Sequence, residues 1–323
     1  MSSLPSKGTA TAVQPEETPE ASSRLAFDLG WDHAFYGVPC YSEDPDVLAG
    51  FAAGQRRFGP RGEKSADRYQ RKWLLLRTNA WRRQRVVSEA ITPQYLQSID
   101  TKRCPILGIE LTHGTMQDTD WSIDRVNNDG AYAPGNLAVL SVLANRAKGA
   151  LSFSEVLERS RRCADTDGLT SLQWLRLASL MAAPCLMSGE AAPIMPFLVM
   201  STHDVPILFS QYLQSAFLLE VCGRQVHIFR PLRQAGGLEL SDRLAFEALF
   251  KKIRKREARR PPLDEFWLHP ALFLQFSAWY SALRPRSREY LKTVLSHRVA
   301  YENGFEITGW CLETLGFYRS ALR

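Results

Sequence analysis

Trp121-Ser122-Ile123-Asp124-Arg125-Val126, Asn127-Asn128-Asp129-Gly130, Asn136-Leu137-Ala138-Val139-Leu140 and Ala144-Asn145-Arg146-Ala147-Lys148-Gly149 decide the fold of this chain. From Ser122 to Val126 the side chains alternate as in a short strand, with Asp124 and Val126 on one face and Arg125 on the other. Asn127 to Gly130 is dense in residues that turn a chain back on itself. Asn136 opens a second segment, Leu137 to Leu140, which runs into a helix bearing Asn145 and Lys148 near its end. Strand, loop, strand and helix in that order predict that Asp124 and Asn145 come together around one cation. A hard divalent ion such as Mg2+ takes oxygen ligands of these kinds, a carboxylate and an amide carbonyl. Such an ion can stabilise the charge that develops as a phosphodiester breaks.

Upstream, Thr92-Pro93 marks a helix start, with Thr92 as the cap and proline at the first helical position, so a short helix is predicted over Gln94–Ile99. Before it lies a long basic run. Between Arg56 and Arg85 there are eleven Lys and Arg residues against two acids, Glu63 and Asp67. Arg68 to Ala90 is predicted as one helix, with Trp73, Leu76, Ala80 and Val87 near helical spacing and basic residues on the other faces. Arg71, Lys72, Arg82, Arg83 and Arg85 are the candidate nucleic-acid contacts, since cations so clustered attract phosphate and make binding salt-dependent. Leu25 to Phe58 is predicted as a small helical unit in which His33, beside Trp31, is a packed or capping residue. Residues 1–23, rich in Ser, Thr, Pro, Glu and Ala, are predicted to be a disordered tail without the apolar core of a signal peptide.

Downstream, Ser152 and Glu155 form an S-x-x-E capping box. Helices are predicted over Ser171–Met181, Val205–Val221, Ser241–Arg256, Leu272–Leu283 and Ser287–Tyr301, and a strand over Val226–Phe229 with a turn at Gly236-Gly237. A second basic cluster runs from Lys251 to Arg260, and Pro261-Pro262 interrupts the last third. The apolar stretch Met181–Cys222 is broken by Pro184, Pro193, Pro196 and Pro206 and contains Glu190, His203 and Asp204. A membrane span needs about 20 uninterrupted apolar residues, so buried helical core is predicted there and no membrane partner is expected.

Bulk composition sets looser bounds. The chain has 323 residues, 45% hydrophobic and 23% charged, which is a globular balance long enough for one large or two ordinary domains. Forty basic against 34 acidic residues give +6, compatible with a polyanionic partner without requiring one. Cys40, Cys104, Cys163, Cys185, Cys222 and Cys311 form no C-x-x-C pair, which argues against a disulfide framework and a thiolate zinc site and for a cytoplasmic protein with reduced thiols.

The stretch Thr92 to Ser154 resembles the HNH (His-Me finger) endonuclease superfamily, specifically its phage-type branch with an S-I-D-R-V…G-Y…G-N…A-N-x-x-K signature. Several matched points in one order carry the likeness; Asp-Arg or Asn-x-x-Lys alone would carry none. The resemblance implies that Asp124 is the first metal-binding acid, Asn145 the helix ligand, Asn136 the residue that ties the loop to the hairpin, and Lys148 a phosphate contact. It also exposes two departures. The residue after the acid is ordinarily the histidine that activates water, and here it is Arg125, whose guanidinium stays protonated and cannot be a general base. Arg125 is suited instead to clamping a phosphate or stabilising transition-state charge, and His113 is the nearest other imidazole. Zinc-bearing relatives hold the hairpin with two C-x-x-C pairs. Here only Cys104 stands; Leu107, Ser141 and Ala144 occupy the other three positions. No structural zinc is therefore expected, and Ile106, Leu107, Ile109, Leu111, Leu137, Val139 and Leu140 must hold the unit by packing.

The expected fold is mainly α with one small ββα-type unit. The expected organisation is a tail at 1–23, a basic helical region at 24–91, the HNH-like unit at 92–154 and a helical domain at 155–323. The expected function is metal-dependent hydrolysis of phosphodiester bonds, in DNA rather than RNA, with Mg2+ between Asp124 and Asn145. The alternatives are a nucleic-acid-binding protein that keeps the finger fold without catalysis, and a scaffold whose C-terminal helices bind a protein partner.

Overall fold

The computed structural model describes residues 19–162, 164–187, 193–198, 208–221, 238–257 and 263–291. Among them the chain is mainly helical with one two-stranded antiparallel sheet. It divides into two units. The first holds the described residues up to Ser98 together with Asp129–Pro134; the second holds Ile99–Asn128 and the described residues from Gly135 onward.

In the first unit, α1 (Pro19–Phe35) and α2 (Pro45–Phe58) form a hairpin whose axes meet at glycines. A side chain at Gly30 would put its Cβ 1.9 Å from the Val47 carbonyl oxygen, and one at Gly50 would put it 2.0 Å from that of Phe27. Ala26, Leu29 and Val47 fill the seam beside them. Gly30→Ala should therefore force the helices apart at an overpacking cost of about 2 kcal/mol, read as a lower urea midpoint. Asp44 caps α2 through the backbone N–H groups of Asp46 and Val47, and its other oxygen accepts from the Trp81 indole at 3.0 Å. The first helix begins at Pro19, so Pro19–Ser23 belong to it and not to the expected tail; residues 1–18 lie outside the described part.

Helix α3 (Arg68–Arg82) starts at a complete capping box between Asp67 and Gln70. It stops well before Ala90, where the sequence placed its end. Gln84 turns the chain with a φ of 53°, and the β-branched Val87 then bridges to Tyr132. Helix α4 (Pro93–Ser98) begins as predicted, with Thr92 Oγ1 accepting from the Tyr95 N–H at 3.1 Å.

The second unit contains β1 (Trp121–Arg125), β2 (Leu137–Ser141), α5 (Val142–Lys148) and α6 (Phe153–Arg161). The strands pair with Trp121 opposite Ser141 and Arg125 opposite Leu137. Every residue of β2 is buried, which explains its unbroken apolar run. Both halves of the Ser152–Glu155 capping box form at the start of α6. Ile106, Leu111, Leu137, Val139 and Leu140 are buried as expected, whereas Leu107 is half-buried and Ile109 is 37% exposed and contributes mainly its carbonyl, which accepts from the Cys104 N–H.

Further helices span Ser171–Met187, Phe209–Val221, Leu240–Glu257 and Pro270–Ala282, close to the predicted segments. Their core is aromatic. Phe217, Phe246, Phe250, Trp267, Phe276 and Trp279 are buried together, with Phe217 edge-on to Trp267, Phe276 and Trp279. The helix expected from Ser287 is described only over 285–291. The Val226–Phe229 strand, the Gly236-Gly237 turn and Pro261-Pro262 lie outside the described residues. No helix among the described residues is long and apolar enough to cross a membrane.

Candidate functional site

The register of the hairpin sets the site. Alternation along β1 places Ser122 and Asp124 on one face. Helix α5 follows β2 directly, capped by Ser141, whose hydroxyl accepts from the Ala144 N–H. Its residues Asn145 and Lys148 are three apart and so share a helix face. The two faces meet. The Asn145 amide donates to the Ser122 hydroxyl oxygen at 2.6 Å, and the Lys148 ammonium lies 3.0 Å from Asp124 Oδ2.

Lys148 is completely buried, and its ammonium has three oxygen partners: Asp124 Oδ2, the Arg125 carbonyl at 2.8 Å and Asn128 Oδ1 at 3.0 Å. Three acceptors match the three protons of the group. Asn128 in turn donates its amide to the carbonyls of Gly149 at 3.2 Å and Leu151 at 3.3 Å. The Arg125 guanidinium donates to the Asn128 carbonyl at 2.7 Å and so braces the turn. Strand end, turn and helix end are thus fastened at one point. Burial holds the Asp124 carboxyl above the ordinary carboxylate range, against the pull of the Lys148 ammonium and of the Arg125 charge and backbone N–H.

Asn136 ties the two ends of the hairpin loop together. Its side-chain oxygen accepts from the Asn127 N–H at 2.7 Å and its amide donates to the Asn127 carbonyl at 3.0 Å, while its own carbonyl accepts from Val126.

The residues expected to hold a metal do not fit a divalent ion in this arrangement. The carboxylate oxygen that would ligate it faces an ammonium at 3.0 Å. A second cation beside Asp124 would meet direct repulsion from the first. Among the described residues no three of His, Cys, Asp or Glu gather elsewhere as a metal cluster. Lys148, expected at a phosphate, is turned inward. His113 is exposed and sits edge-on to Trp121, with ring centroids 5.2 Å apart, and alternation puts Trp121 on the strand face opposite Asp124.

Cys104 explains how the hairpin is anchored. Its buried sulfur accepts from the backbone N–H groups of Leu107 at 3.5 Å and Ser141 at 3.4 Å, and Ser141 caps α5 beside Ala144. Cys104, Leu107, Ser141 and Ala144 are thus linked by hydrogen bonds.

A second buried acid escaped the sequence reading. Asp120 takes the hydroxyls of Thr112 and Thr115 and the backbone N–H groups of Thr115 and Met116. Burial alone would raise its pKa, but these four donors together hold it well below the ordinary carboxylate range. A Thr-x-x-Thr followed by Asp within nine residues was the available signal.

In the first unit, Arg71, Arg82, Arg83 and Arg85 are exposed and Lys72 is half-buried. Arg77 is spent internally on Asp32 and on the face of Trp73. His33 is buried between the Pro39 carbonyl and Thr78 Oγ1, and burial lowers its pKa, so it serves packing as expected. No protein-family model, no curated protein and no solved structure matches this chain.

Proposed function

We propose that the protein binds nucleic acid, DNA before RNA, through the basic surface of its first unit, and that its hairpin–helix unit is an HNH-type finger kept as a scaffold rather than as a metal-dependent catalyst. The observation that carries this reading is the engagement of Asp124. An acid whose Oδ2 is paired with a buried lysine, next to an arginine that cannot remove a proton, is poorly suited to activating water. The exposed Arg71, Arg82, Arg83 and Arg85 supply what binding needs, since cations displace counterions from the phosphate backbone. On a log–log plot of affinity for a short DNA duplex against salt, Arg82→Ala/Arg83→Ala should lower the slope by about 2 and weaken binding about tenfold. Fluorescence anisotropy reads both, and a wild-type protein that ignores duplex DNA at low salt would sink the reading.

A metal-dependent endonuclease remains the second reading, favoured by one observation: Asp124 and Asn145 do belong to the same strand–helix interface. Supercoiled plasmid incubated with Mg2+ or Mn2+ separates the two. Scaffolding predicts no nicking by wild type, whereas nicking that disappears in Asp124→Asn establishes the enzyme.

A further inference from the structure

The oxygen set around Lys148 is the kind a hard cation selects: one carboxylate, one backbone carbonyl and one side-chain amide carbonyl. These come from the end of β1 and the turn beyond it, while the group they surround comes from the last residue of α5. The side chain is 0% exposed, so water supplies none of its partners. The cage is also braced from outside, because Asn128 is held by Gly149 and Leu151 and by the Arg125 guanidinium on its carbonyl.

We infer that the Lys148 ammonium is the resident cation of this hairpin–helix unit: it fills an oxygen cage that would otherwise take a divalent metal ion, so the unit folds without metal. A covalently tethered cation cannot be chelated away, and it fixes strand, turn and helix together at whatever metal concentration surrounds the protein. The inference goes beyond the nucleic-acid reading and is tested without nucleic acid.

Two consequences follow for the full-length chain. Wild-type protein should melt at the same temperature in EDTA and in millimolar Mg2+ or Mn2+, and calorimetric titration with Mn2+ should give no stoichiometric heat. Lys148→Ala removes the ammonium and leaves Asp124 Oδ2, the Arg125 carbonyl and Asn128 Oδ1 around the vacated space. That variant should melt roughly 10 °C lower in EDTA, because a buried charge has lost its partner, and should regain part of the loss in Mg2+ or Mn2+. Lys148→Met, which fills the same space with an uncharged side chain, should be destabilised without metal rescue. If Lys148→Ala is unfolded in EDTA, folding on addition of metal, followed by far-ultraviolet circular dichroism, is the supporting result. Stoichiometric Mn2+ binding by wild type that vanishes in Asp124→Asn would overturn the inference, as would a Lys148→Ala variant that responds to metal no differently from wild type.

Discussion

Asn136→Ala should cost the protein about 4 kcal/mol, because it removes two buried hydrogen bonds to the backbone. Asn136 is 0% exposed, and its amide bridges both the N–H and the carbonyl of Asn127 across the mouth of the loop. Alanine removes both bonds and opens a small void beside them. Asn136→Asp should fare no better at neutral pH, because a carboxylate can replace the acceptor but would face the Asn127 carbonyl with a lone pair instead of a proton. Urea midpoints of the full-length chain at pH 7 read the effect. An aspartate variant close to wild type would show that only the acceptor half of the bridge matters. The damage should extend past the loop itself, since the same turn presents Asn128 to Lys148.

The second large effect belongs to Asp120. Replacing it with alanine leaves four donors without their acceptor and frees the loop from Thr112 to Thr119, whose ends also meet through the Thr112 N–H and the Thr119 carbonyl. The expected loss at pH 7 is about 3 kcal/mol, reduced from a plain sum because part of the loop can turn to water. The pH dependence is distinctive. The folded pKa of Asp120 is depressed, so its contribution is complete above the unfolded value of about 4 and is lost as pH falls from there through the folded value. Wild type and Asp120→Ala should therefore draw together in urea midpoint as pH falls below about 4. A gap that stays constant over that range would mean that the side chain acts by shape and not by charge.

The hairpin, its turn and its following helix were legible because each is specified locally: alternation in Ser122–Val126, turn residues at Asn127–Gly130, and the apolar run Leu137–Leu140 leading into the helix. Asn136 was legible for the same reason, as it bonds to a residue nine positions away within one loop. The partner of Asp124 was not. Sequence spacing brought Asn145 and Lys148 to the same helix face, but which of them reaches the carboxylate depends on the packing of α5 on β1, and longer reach favoured the lysine. A lysine near a helix end is ordinarily a surface residue, so nothing in the composition marked Lys148 as buried. The basic helix was overextended because Arg83, Gln84 and Arg85 continue its polarity, while the pairing that stops it lies with Tyr132, far along the chain.

That pairing also bears on how the protein is made. The first unit includes Asp129–Pro134, which lie in the middle of the hairpin of the second, and the Ser88 N–H donates to the Tyr132 carbonyl within it. A ribosome delivering this chain from its beginning therefore cannot finish the N-terminal unit when Ser98 emerges; it must first release β1 and the turn beyond it. Truncation at residue 98 would discard a piece of that unit along with everything downstream, so residues up to 98 should be less stable alone than they are within the chain.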